Sequence, residues 1–199
     1  MLGGGATQFY SGSGSHVDIY VTPYCELLKQ FLSTHPEIKR VVDLGCGDFN
    51  VASQWINDGI DYTGIDVVEE MILSHQKTYA SEHVHFMCLD IVDDELPDGD
   101  LCVIRQVLQH LSNNDVSRVL AKLKKYRYVI ITNSQTPKAQ AVSYNSDIRT
   151  GHQTRANVLS GLYLDEPPFN LRTEILLNIP EARSKDRVNV ELVTELVRN

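Results

Sequence analysis

The sequence contains no apolar run approaching the roughly 20 residues that a membrane-spanning helix requires. Cysteine is sparse. Cys25, Cys46, Cys88 and Cys102 form no C-x-x-C pair and match no zinc-ligand spacing. Free thiols in a reducing compartment account for them, and a cytoplasmic location is expected. His83 and His85 share one face of a strand, but no Cys or carboxylate accompanies them at a ligand spacing, so no metal is expected. Basic residues are outnumbered, 18 Lys and Arg against 26 Asp and Glu, for a net charge of -8. That balance disfavours broad contact with nucleic acid or an anionic membrane. The one dense basic cluster, Lys122, Lys124, Lys125 and Arg127, reads as cations in the last turn of a helix. Met1-Leu2-Gly3-Gly4-Gly5 lacks a basic stretch and an apolar stretch, so no secretion signal is expected.

What is present suits one globular domain over 1–199. Apolar residues make up 42% and charged residues 22%, ordinary values for a packed chain. A chain of this size buries about 70% of its unfolded surface and needs no staple. Residues 1–16 are Gly/Ser-rich, above all Ser11-Gly12-Ser13-Gly14-Ser15, and read as a flexible lid or tail. Thr22-Pro23 reads as an N-cap followed by proline at the first helical position, and His35-Pro36 as the stop.

Two periods then alternate. Strands are expected at Arg40–Leu44, Tyr62–Asp66, Val84–Met87, Leu101–Ile104 and Tyr128–Thr132. Helices are expected around Val51, Ala52, Trp55 and Ile56, around Val68, Met71, Ile72 and His75, and around Val116, Val119, Leu120 and Leu123. The last of these begins at Asn113 or Asn114 and Asp115. Short apolar strands alternating with amphipathic helices imply a doubly wound parallel α/β sheet. Leu171–Ile179 and Val188–Val197 read as two further strands with no helix between them, hence an antiparallel C-terminal hairpin on a seven-stranded, Rossmann-like sheet.

In such sheets a ligand lies at the carboxyl ends of the strands. The first strand runs into Asp43-Leu44-Gly45-Cys46-Gly47-Asp48, whose glycines permit a tight turn and close backbone approach. The second ends in Asp66, suited to the two hydroxyls of a ribose. The third is followed by Leu89-Asp90-Ile91, an acceptor beside an apolar residue, suited to an adenine. Two ligands compete. A nicotinamide dinucleotide wants G-x-G-x-x-G, but Asn50 stands at the third glycine. Carboxylates at 43 and 48 would repel a pyrophosphate and instead suit a cationic ligand without phosphate, such as S-adenosylmethionine.

Val41-Val42-Asp43-Leu44-Gly45-Cys46-Gly47 and Tyr62-Thr63-Gly64-Ile65-Asp66 resemble the first two motifs of the class I S-adenosylmethionine-dependent methyltransferases. Asp90-Ile91 stands where that family carries its adenine-binding acid. The stretch from Asp100 to Leu111 resembles its fourth strand and the turn beyond. The resemblance covers about residues 38–135. It extends to a bacterial subgroup through Gly-Cys-Gly-Asp with an aromatic next, Gly-Ile-Asp-Val-Val and Val-Leu-Gln-His-Leu. It implies S-adenosylmethionine as cofactor, held by Asp43, Gly45, Cys46, Gly47, Asp66, Val67, Asp90 and Ile91, with Arg105 and Gln106 where cofactor and acceptor meet. The family commonly has a third glycine where Phe49 stands, so Phe49 is expected to narrow the space beside the methionine portion or to stack on the cofactor.

The activity expected is methyl transfer to a small-molecule acceptor. A nicotinamide-dependent oxidoreductase and a non-catalytic cofactor-binding protein are the alternatives. Residues 17–135 form the cofactor core and 133–170 the acceptor region, with Tyr144, Arg149 and Arg155 as candidate acceptor contacts. His110 is the one candidate general base, although it sits among Val107, Leu108 and Leu111 like a packing residue. Asp165-Glu166-Pro167-Pro168-Phe169 lies beyond the fifth strand and reads as a rigid entry to the sixth, not as the acidic-Pro-Pro-aromatic motif of amino-methylating DNA enzymes.

Overall fold

The computed structural model describes residues 9–182 and 189–199. Seven strands form one sheet: β1 (Arg40–Leu44), β2 (Asp61–Asp66), β3 (Val84–Cys88), β4 (Leu101–Arg105), β5 (Tyr128–Gln135), β6 (Glu174–Ala182) and β7 (Asn189–Arg198). Their spatial order is β3-β2-β1-β4-β5-β7-β6. The first five are mutually parallel, and β7 runs antiparallel to both β5 and β6. The expected α/β sheet with its terminal hairpin is what forms. The strand expected from Val188 begins at Asn189, since Val188 lies outside the described residues.

The apolar runs are near-continuous because the central strands are covered on both faces. Val41, Val103, Ile130 and Leu196 pack toward α1 (Asp18–Thr34) through Leu28, Phe31 and Leu32. Val42, Leu44, Cys102, Ile104, Val129 and Ile131 pack toward α3 (Asn113–Leu123) through Val116, Val119 and Leu123. Between β2 and β3 runs α2 (Glu69–Thr78), which buries Met71, Ile72 and His75.

Three local expectations change. First, α1 starts at Asp18, so Pro23 lies inside it and does not open it. Tyr20 and Val21 already donate their N–H groups to the Val17 carbonyl, one turn before the proline. Second, no α-helix follows β1. Ala52–Gln54 makes a single 3-10 turn, and Ala52 and Trp55 are buried from it. The apolar spacing there reflects two buried anchors on a short crossover. Third, the cap of α3 is Ser112, whose hydroxyl accepts the Asp115 N–H at 3.1 Å.

The basic cluster on and after α3 stitches the molecule together. Lys122 donates to the carbonyls of Ile91, Val92 and Asp94, and Lys125 donates to that of Leu96. All four cysteines are free. No helix among the described residues is long and apolar enough to cross a membrane, and no group of metal-ligating side chains is present among them.

Candidate functional site

A cavity of about 300 Å³ opens at the carboxyl ends of β1, β2 and β4. Its floor is the turn after β1. Gly45 and Gly47 adopt φ of 81° and 54°, in the left-handed region that glycine enters without strain. A Cβ on Gly45 would come within 2.2 Å of Val107 Cγ2, so the tight approach of the two strand ends excludes any other residue there.

The turn's donors are fully committed. Gly45 and Cys46 donate to the Ile65 carbonyl at 2.8 and 2.9 Å. Gly47 donates to Asp66 Oδ2 at 3.1 Å, Asp48 to Ser11 Oγ at 2.7 Å, Phe49 to the Cys46 carbonyl at 3.3 Å, and Asn50 to Asp48 Oδ1 at 3.2 Å. A phosphate cradle needs free N–H groups at a helix N-terminus. This turn has neither free donors nor a following α-helix.

Carboxylates face the cavity instead. Asp66 accepts from Gly47 and, through Oδ1, from Val68 at 3.1 Å. An ionised carboxylate has about four acceptor positions, so half of its capacity remains. Asp43 is 7% exposed, and its Oδ2 accepts the Tyr62 hydroxyl at 2.8 Å. Burial pushes its carboxyl up to about 7. The Tyr62 hydrogen bond opposes that rise, Asp66 adds to it, and Arg105 opposes it. Arg105 also lines the cavity, its guanidinium 5.1 Å from the centre of the Tyr24 ring.

The N-terminal segment forms the far wall. Ser11 and Ser15 line the cavity, and Ser13–Ser15 is a 3-10 turn. Asp48 anchors this strap, accepting from the Ser11 N–H at 3.0 Å, and its Oδ2 lies 2.6 Å from His16 Nε2. Burial would raise the Asp48 carboxyl, but the bonds from Ser11, His16 and Asn50 together hold it below the usual carboxylate range. Asn50 Nδ2 donates to the Ser15 carbonyl and Arg105 to the Gly14 carbonyl, at 2.7 and 2.6 Å. Residues 1–8, the rest of the expected lid, lie outside the described residues.

The structure thus gathers Asp43, Gly45, Cys46, Gly47, Asp66, Val67, Ile91, Arg105, Gln106 and His110 around one cavity. Five expected contacts lie elsewhere. Phe49 turns its ring into the core, with centroids 5.5 Å from Tyr62 and 5.0 Å from Phe86. Asp90 is exposed and closes a turn: its Oδ1 accepts the Val92 N–H, and its own N–H donates to Asp94, both at 2.8 Å. Arg155 is 2% exposed and donates to the Gln109 and Leu111 carbonyls and to Asn113 Oδ1, so it braces the chain and is no acceptor clamp. Tyr144 packs edge-on against Tyr163, outside the cavity. Arg149 is exposed, in a separate shallow depression formed by the loop 149–153.

That loop does touch the site. Gly151 donates to the His110 carbonyl, and His110 Nδ1 lies 3.2 Å from the Gln153 carbonyl. A carbonyl only accepts, so Nδ1 carries a proton and Nε2 is the basic nitrogen of the neutral ring. Sequence reading missed Tyr24 and Trp55 as wall residues, whereas Ser11 and Ser15 belong to the segment read as a lid or tail. Tyr24 alone carried a signal, a polar tip on the apolar face of α1.

Residues 41–126 match a family model described as "Methyltransferase domain". A curated relative, "Putative methyltransferase YqeM" of Bacillus subtilis (strain 168), is 32% identical over 87 residues, covering 42% of this chain and 35% of its own length. The match therefore spans about a third of that relative. Among solved structures, the N-methyltransferase NodS of Bradyrhizobium japonicum WM9 in complex with S-adenosyl-L-homocysteine is similar. Its TM-score is 0.63 at 15% identity, over 91% of this chain and 87% of that one. The magnesium protoporphyrin IX methyltransferase ChlM of Synechocystis PCC 6803, with bound SAM, aligns at TM-score 0.55 and 17% identity, over 96% and 86%.

Proposed function

We propose, from the premise that this chain has the class I S-adenosylmethionine-dependent methyltransferase fold with the family's domain in residues 41–126, that it transfers a methyl group to a small-molecule acceptor. The observation that carries the cofactor reading is the turn after β1. Its N–H groups are committed within the protein and acids line the cavity beside it, which suits a cationic ligand without phosphate and opposes a dinucleotide.

The residues present fit such a ligand. Asp66, with half its acceptor capacity left, binds ribose hydroxyls. Val67, Leu89 and Ile91 give an apolar slot for the adenine. Asp43 receives the ammonium, and Arg105 and Gln106 meet the other end of the methionine portion. S-adenosylmethionine, when bound, supplies an electrophilic methyl group on a sulfonium. The protein's own part is to orient the acceptor and exclude water, and orientation is worth about 7–11 kcal/mol in the best intramolecular cases. The strap 10–16 closes the mouth, and its release admits ligands. His110 lines the cavity with its Nε2 3.3 Å from the Gln109 side-chain amide, and it serves as a base for an acceptor that needs deprotonation only once that contact is released. The small cavity and its strap support an acceptor of modest size.

Calorimetric titration with S-adenosylhomocysteine, S-adenosylmethionine and NAD tests the assignment. The two sulfur ligands are expected to bind at micromolar affinity or better, and NAD not at all. Saturable NAD binding with no response to S-adenosylhomocysteine overturns it.

A further inference from the structure

Tyr62 and Asp43 are joined across two strands by a side-chain hydrogen bond. In the register of β1 and β2, Asp43 stands opposite Gly64, and Tyr62 lies two residues earlier on β2. Gly64 has no side chain, and a Cβ there would come within 3.1 Å of Cys46 Sγ. The Tyr62 ring is fully buried and fixed by Trp55, Phe49 and Phe86, at centroid distances of 5.9, 5.5 and 6.2 Å. Its one hydroxyl proton is spent on Asp43 Oδ2 at 2.8 Å. Asp43 Oδ1 has no partner among the described residues, and the residue lines the cavity.

We propose that Tyr62 is a positioning residue that presents the Asp43 carboxylate to an ammonium group of the ligand. The inference rests on the cofactor reading above, and it adds a residue that touches no ligand itself. The phenol stabilises the charged form of Asp43, because a hydroxyl donates to a carboxylate more strongly than to a carboxylic acid. The ionisable groups around Asp43 come from every neighbouring element: Tyr24 of α1, Cys46 of the turn, Tyr62 and Asp66 of β2, and Cys102 and Arg105 of β4. Of these only Tyr62 and Arg105 favour the ionised carboxylate. An ammonium ligand binds that form, so binding near neutrality drives a proton off Asp43 into solvent.

S-adenosylhomocysteine is titrated calorimetrically from pH 6 to 8.5, in pairs of buffers with different ionisation enthalpies. Wild-type, Tyr62→Phe and Asp43→Asn proteins are compared, each checked by thermal unfolding. Wild-type affinity is expected to be flat above about pH 7 and to fall about tenfold per pH unit below it, with about half a proton released per ligand near pH 7. In Tyr62→Phe the break moves up by about one pH unit, and affinity recovers most of its wild-type value at pH 8.5. Asp43→Asn binds at least tenfold more weakly at pH 8.5. A Tyr62→Phe protein weakened equally at every pH has a structural role only, and overturns the proposal. Wild-type binding with no proton release near pH 7 overturns it even if Tyr62→Phe fails to fold. So does Asp43→Asn with wild-type affinity and proton release. No binding to wild-type protein at any pH removes the cofactor reading, and this inference falls with it.

Discussion

Arg105 donates from its guanidinium to the carbonyl of Gly14 at 2.6 Å, tying the end of β4 to a segment 91 residues earlier in the chain. That bond, the Asn50–Ser15 contact and the Asp48 contacts make the N-terminal strap a wall of the cavity. None of Ser13–Ser15 is buried, and Tyr10 stacks on His16 within the strap with ring centroids 4.6 Å apart, so among the described residues polar contacts tie it to the site. Its attachment therefore rests on a few hydrogen bonds, each worth about 1 kcal/mol, or about 1.5–3 where one partner is charged.

Asp48→Ala removes the acceptor for both Ser11 and His16. We expect faster amide exchange over residues 10–16 and a roughly tenfold faster dissociation of S-adenosylhomocysteine, the rate equivalent of about 1.4 kcal/mol. Hydrogen exchange and stopped-flow measurements read both. The Asp48 carboxyl is held low in the folded protein, so its contribution is present above about pH 4 and is lost as pH falls through its folded value. A dissociation rate unchanged by the substitution detaches the strap from ligand exchange.

Asp66→Ala is expected to weaken S-adenosylhomocysteine binding by about 1.5–3 kcal/mol, or about 10–150-fold. The substitution also strips acceptors from Gly47 and Val68, so a modest loss of melting temperature accompanies it. Calorimetry separates the two effects. Wild-type affinity in this variant places the ribose elsewhere.

Asp43 trades stability for binding. Its folded carboxyl lies at about 7, far above the unfolded value near 3.9, so the folded state holds the extra proton between those limits. Apo stability from this residue therefore falls as pH rises from about 4 to about 7 and levels off above. At pH 8 the apo Asp43→Asn protein is expected to be more stable than wild type, on the order of 2 kcal/mol, although it binds the cofactor poorly. Scanning calorimetry at pH 5 and pH 8 decides: a variant no more stable at pH 8 refutes the claim.

Arg155→Met leaves two buried carbonyls and the Asn113 side chain without their donor. We expect a loss of about 2–4 kcal/mol, a melting temperature lower by roughly 5–15 °C, and unchanged cofactor affinity below the transition. Unchanged melting with impaired acceptor turnover would return Arg155 to the acceptor site.

The core strands were legible because burial on both faces leaves an unbroken apolar signature, and because Asp43 and Asp66 stand at or next to the carboxyl ends of their strands, each two residues from a glycine. The crossover after β1 was not. Val51, Ala52, Trp55 and Ile56 have the spacing of a helix, but one 3-10 turn with Ala52 and Trp55 as anchors satisfies the same pattern. Proline at 23 hid the first turn of α1, since it resembles an opening residue wherever it falls in the early helix. The contacts that anchor the strap were invisible for another reason. Gly and Ser carry no hydrophobic period, and its contacts bridge 32 to 91 residues. Arg149 and Arg155 look alike in sequence, yet one is exposed and the other is among the most deeply enclosed side chains of the molecule.

The placement of β7 between β5 and β6 governs the order of assembly during synthesis. β6 leaves the ribosome before β7, yet its only neighbour in the sheet is β7. The five parallel strands can close as soon as β5 has emerged, but β6 must wait, unpaired, for a later segment to slot in beside β5. Completion of the sheet thus waits for β7, and a chain that stops between residues 182 and 189 has its ligand-facing strands but leaves the outer edge of β5 open.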